Sequence, residues 1–125
     1  MTELEMLKNG RNLLLSLHKS LIDFERGIYE GINGKLSAGA FLNVLLEDPE
    51  FAWLRRFSGL IVDIDELLSQ RDGFTEGAVS LHIGKLREIV LLEGSDEEFA
   101  SRYRGGLQQN SEAAAIHAEL RRLLH

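Results

Sequence analysis

Cysteine is absent from this sequence, and proline occurs once, as Pro49. Without thiols there are neither disulfides nor thiolate metal ligands, which excludes the stapled scaffold of small secreted domains. With a single proline and few β-branched runs, little interrupts helix formation. Apolar runs such as Leu13–Leu15 and Ile89–Leu92 fall far short of the ~18 residues that span a bilayer. An excess of positive charge is also lacking: 14 Lys and Arg against 20 Asp and Glu leave a formal charge of −6. That balance opposes binding to phosphate backbones or anionic membranes. The small basic groups, Arg55-Arg56, Arg102-Tyr103-Arg104 and Arg121-Arg122, are surrounded by acids. The opening MTELEMLKNG is acidic and periodic, without the basic region and apolar run of a secretory leader. A cytoplasmic protein with no nucleic-acid or membrane partner is expected.

What is present is helix. At 125 residues the chain suffices for one domain, residues 1–125, with a core of its own. A first helix is predicted from about Thr2 to Ile32, capped by Thr2 and stopped by Asn33-Gly34. Ser37 caps a short second helix, Ala38 to Leu46. Asp48-Pro49 opens a third, ending near Arg71 before the turn Asp72-Gly73. Thr75 caps a fourth that reaches Glu93 and stops at Gly94. Ser95 and Glu98 form a capping box for a fifth, which Gly105-Gly106 interrupts. Asn110-Ser111 starts a last one. Short connections between amphipathic helices predict an all-α fold, a compact antiparallel helical bundle of about four main helices plus one or two short ones.

At about 100° per residue, the first helix places Leu7, Leu14, Leu17, Leu21, Phe24, Ile28 and Ile32 on one stripe. A second seven-spaced row, Leu15, Ile22 and Tyr29, runs beside it and widens the apolar arc to nearly half the circumference. Such an arc suits a central helix, or one shared with a partner. Between the two rows lie Arg11, His18 and Glu25, and the apolar face of the fourth helix carries His82. Buried charges need partners, so these four form either a structural network or a polar pocket for a small molecule. If the first and fourth helices pack together, His82 could meet Glu25 or His18 and perturb both pKa values.

Other chemistries find little footing. None of His18, His82, His117 and His125 has a Glu, Asp or His partner at i,i+3 or i,i+4, the spacing that helical metal sites use. His18 and Glu25 lie about 10 Å apart along the helix axis, too far to chelate one ion. No G-x-S-x-G elbow or phosphate-binding glycine loop occurs. No metal, cofactor or catalytic residue is expected. "HIGKL" resembles the phosphorylation motif of histidine-phosphotransfer domains, which are helical bundles of about this size. His82 and Lys85 match that motif, but Leu86 stands where the motif has glycine, and its bulk would obstruct a partner's approach.

In the third helix, Leu54, Phe57, Ile61, Ile64 and Leu68 follow 3-4-3-4 spacing, flanked by Trp53, Leu60 and Leu67, which is a core stripe. Asp63 and Glu66 point to solvent, while Asp65 sits at the stripe's edge and calls for a cation from a neighbouring helix or a partner. Asp48, Pro49, Phe51 to Arg55, Ser58, Leu60 to Val62 and Ile64 to Leu68 together resemble a family of uncharacterised bacterial proteins. FAxRYRxxLQ, from Phe99 to Gln108, and HAELRRLL, from His117 to Leu124, fit the same likeness. The resemblance implies a bacterial helical protein and no particular activity. The expected function is therefore non-enzymatic: an interaction or regulatory protein that self-associates, as a homodimer, through the first helix, with Leu15, Ile22 and Tyr29 as the interaction face. The alternative is a ligand-binding or enzymatic pocket around Arg11, His18, Glu25 and His82.

Overall fold

In the computed structural model, which describes residues 1–94 and 96–125, the described chain is all helical. Six α-helices follow one another: α1 (Glu3–Asn33), α2 (Ala38–Glu47), α3 (Arg55–Leu68), α4 (Glu76–Val90), α5 (Glu97–Gln109) and α6 (Ser111–Leu124). Pro49–Leu54 forms a 3-10 segment leading into α3. The third predicted helix is thus two elements. Asp48 caps the first of them, its side chain accepting from Glu50 N at 2.9 Å, and Pro49 takes the first turn, where its missing N–H costs nothing.

Helix boundaries follow from caps. Thr2 accepts from Glu5 N, Ser37 from Ala40 N, Thr75 from Ala78 N and Asn110 from Ala113 N. Each satisfies an otherwise orphaned N–H at a helix start. Gly34, with φ 86°, closes α1. Two expectations are corrected. The fourth helix ends at Val90 rather than Glu93, because Leu92 adopts φ 56° and Glu93 N reaches back to Glu88 O at 3.2 Å. This is a Schellman stop with leucine in the left-handed position glycine usually fills. The strain, about 1–2 kcal/mol, is offset by the half-burial of Leu92 against the core. Nor do Gly105 and Gly106 break α5. Gly106 is buried, and a Cβ there would stand 3.1 Å from Leu21 Cδ2 and 3.5 Å from Trp53 Cη2, so glycine permits a close helix approach. The predicted capping Ser95 lies outside the described residues, and Asp96 holds Phe99 N at 3.0 Å.

The main helices form a ring, α1–α3–α4–α6, and α1 also touches α4 across it. Arg11 meets Asp65 and His18 meets Phe57, so α1 and α3 run antiparallel. Asn110 bonds Ser20, and Gly10 lies beside Leu123, so α6 also runs antiparallel to α1. At Gly10 α4 packs close, with Leu86 Cδ1 only 2.9 Å from the position a Cβ would take. The core is built on Phe57, fully buried, whose ring lies 5.2 Å from Tyr103, 5.6 Å from Phe99 and 6.1 Å from Trp53. Burying one such ring contributes about 1.5–3 kcal/mol.

Length mismatch shapes the molecule. α1 has 31 residues, about 46 Å at 1.5 Å per residue, whereas α6 has 14, about 21 Å. Because α6 begins beside Ser20, the last turns of α1 extend beyond it. On one flank this overhang is covered by a second aromatic group: Tyr29, Phe41 and Phe51, with centroids 5.9–6.3 Å apart. Arg26 stacks over Phe41 and donates to Leu36 O, while Glu30 accepts from Leu36 N. Together these contacts seat α2 on the overhang.

Candidate functional site

The four polar residues singled out in the sequence stand in four separate environments. Arg11 is paired with Asp65 in a bidentate bridge, Nε to Oδ1 at 2.8 Å and Nη2 to Oδ2 at 2.9 Å. The carboxylate's hydrogen bond raises the Arg11 pKa above its ordinary value. The cation that Asp65 called for is therefore Arg11, one helix away. His18 lies 6.3 Å from the Phe57 ring, and burial lowers its pKa. Glu25 is half-buried, and desolvation raises its pKa, with Arg102 acting against the rise and Glu50 adding to it. His82 Nδ1 donates to Ala78 O, 2.7 Å away in its own helix. Although α1 and α4 do pack, Gly10 against Leu86 and Ser80 donating to Glu3 Oε1 at 2.8 Å, no hydrogen bond or ion pair among the described residues joins His82 to His18 or Glu25. Leu86, at the motif's glycine position, is fully buried.

Clefts lie elsewhere. One of about 330 Å³, at the starts of α1 and α4, is lined by Thr2, Glu3, Leu4, Phe74, Glu76 and Val79. Another, of about 280 Å³, runs between the 3-10 segment and α5. Its aromatic floor, Trp53 and Phe99, carries Arg56 over Phe99 at 4.3 Å, and Arg102 is held by Glu50 at 2.8 Å. Each arginine there already faces an acid, so the cleft offers a ligand little uncompensated charge. Among the described residues, no group of three or more His, Asp or Glu is placed to hold a metal ion, and no helix is long and apolar enough to cross a membrane.

One polar pair escaped the sequence. Tyr103, fully buried, places its hydroxyl 2.6 Å from His117 Nδ1, the two rings edge to face at 90°. Burial raises the Tyr103 pKa. Burial also lowers that of His117, and the nearby Arg121 adds to the effect. A phenol and a neutral imidazole can share this bond in either sense, Tyr103 O–H donating to Nδ1 or Nδ1–H donating to the phenol oxygen, according to the tautomer of His117. The pair joins α5 to α6 across 14 positions, a separation that no single-helix periodicity reveals.

The apolar row divides in a similar way. Leu15 is 43% exposed, Ile22 is half-buried against the core, and Tyr29 is covered by Phe41 and Phe51. Among the large apolar residues that are exposed, Met1, Leu15, Val62 and Leu81 stand singly, while four form two i,i+4 pairs: Ile28 and Ile32 on α1 (43% and 79% exposed), and Leu42 and Leu46 on α2 (53% and 52%). Compared with known proteins, the chain matches no protein-family model, no curated protein and no solved structure.

Proposed function

We propose that this protein is non-enzymatic, a helical bundle that acts in the cytoplasm through protein contacts and associates with itself through α1. The observation that carries this reading is the pair of exposed apolar steps at one end of the molecule, Ile28–Ile32 and Leu42–Leu46. Single exposed leucines are ordinary; two i,i+4 pairs on neighbouring helices form the kind of apolar surface that partners cover. The polar groups support the same reading, because Arg11, His82 and His117 face partners of their own chain.

Magnitude sets the affinity to look for. Burying a whole Ile or Leu side chain contributes about 1.5–3 kcal/mol. Four half-exposed side chains from each of two copies then contribute roughly 6–12 kcal/mol, against an association cost of about 4–15 kcal/mol. The expected dimer is micromolar at best, near −8 kcal/mol. Light scattering coupled to size exclusion, from low to high micromolar concentration, should show the mass rising from monomer to dimer. A strict monomer across that range overturns the proposal.

A further inference from the structure

The core stripe of α1 continues beyond the helices that cover it. Leu14, Leu17 and Leu21 are buried to within 1%. Phe24 is half-buried, and Ile28 and Ile32 on the same face are 43% and 79% exposed. Coverage fails where α6 begins, beside Ser20. α2 and the 3-10 segment cover the other flank, at Tyr29. Two turns of core-facing helix are thus only partly covered, Ile32 least of all.

Immediately before each isoleucine stands a glycine, Gly27 and Gly31. A Cβ at either position would meet nothing within 4 Å. Glycine is the poorest helix former after proline, and nothing in the monomer requires it at these two positions. Phe24, Gly27, Ile28, Gly31 and Ile32 occupy an arc of about 140° at 100° per residue; Asp23, Arg26 and Glu30 fall well outside it, and the half-buried Glu25, with Arg102 and Glu50 near it, borders it about 20° beyond Ile32. For a chain carrying −6, this uncharged arc is where a second copy approaches without like-charge repulsion. The arc is also self-complementary: an isoleucine ridge lies beside a glycine notch on one helix. A two-fold axis presents the same patch from both sides, so each ridge meets the other copy's notch, as in small-residue helix crossings.

Building on the self-association proposed above, we infer that two copies cross at the overhanging end of α1, the Ile28–Ile32 ridge of each seated in the Gly27–Gly31 notch of the other. Gly31→Leu separates this geometry from a role in the monomer. It fits the open space and improves helix propensity, so monomer melting at low concentration should hold or rise, while dimer affinity falls at least tenfold. Ile32→Asp should weaken the dimer similarly, and Leu15→Asp should leave it intact. Because the chain has no cysteine, Gly31→Cys should oxidise to a covalent dimer much faster than Gly84→Cys, an exposed helical control with equally open surroundings. Either a Gly31→Leu dimer as tight as the wild type, or Gly31→Cys no faster than Gly84→Cys, overturns the crossing while leaving self-association standing. A wild type that stays monomeric overturns both.

Discussion

Removing one oxygen atom tests how the Tyr103–His117 pair sets the pH range of this fold. Tyr103→Phe keeps the fully buried ring and its contacts with Phe57 and Phe99, and removes only the hydroxyl 2.6 Å from His117 Nδ1. A neutral hydrogen bond contributes about 0.5–1.5 kcal/mol net. The expected loss at pH 8 is therefore about 1 kcal/mol, or about 4 °C in Tm for a domain of this size. The two partners also bound stability from opposite sides. His117 titrates lower in the folded chain than in the unfolded one, so the unfolded state takes up its proton first. Stability is complete above about pH 6.5 and is lost as pH falls below it. Tyr103 titrates higher when folded, so its contribution is complete below about pH 10 and is lost as pH rises above it. Urea melts of wild type, Tyr103→Phe and His117→Gln across this range separate the limbs. Tyr103→Phe should flatten the alkaline limb. His117→Gln should shrink the acid limb without abolishing it, because His18, also lowered by burial, adds to it. An alkaline limb as steep in Tyr103→Phe as in the wild type would refute the assignment, as would an acid limb untouched by His117→Gln.

Two further outcomes are expected. A double-mutant cycle on Arg11→Ala and Asp65→Ala should give a coupling of about 0.2–1 kcal/mol, since the bridge is bidentate yet open to solvent; a coupling above 3 kcal/mol would mean a buried site rather than a surface clasp. Glu25→Gln should raise stability at pH 7, because the folded environment disfavours the carboxylate mainly by desolvation. That gain should vanish as pH falls below about 4.5, where the wild-type side chain is neutral in both states, and melting curves of the two chains at pH 3 and pH 7 measure it.

Helix existence was legible because most apolar stripes have a capping residue in front of them, and Thr2, Ser37, Thr75 and Asn110 all make the local bonds their positions imply. The stop of α4 was not legible. It depends on Leu92 accepting a left-handed backbone in exchange for core contact, a tertiary effect that outweighs local preference. The glycines of α5 misled for the same reason, Gly106 being required by Leu21 and Trp53. Among the polar residues, the sequence identified Asp65 as needing a cation and Arg11 as needing an anion. It could not pair them across 54 positions, since a wheel gives the side of a helix and not the level at which a neighbour crosses. Tyr103 and His117 were hidden for that reason too. The partly covered end of α1 appeared in the sequence only as an arc too wide for one neighbour; how far α6 reaches decided which part of it is open.

The pairing of α1 with α6 has a consequence for synthesis. The Ser20–Asn110 contact closes a loop of 90 residues, so the longest helix is made first and meets its most extensive partner last. While the ribosome is still building α3 and α4, Leu7, Leu14 and Leu17 have no α6 to lie against. The nascent chain must then either hold α1 against the α3–α4 hairpin or present those leucines to a chaperone. Ribosome-bound chains halted before residue 110 should therefore be markedly more protease-sensitive in α1 than chains halted after α6 has emerged.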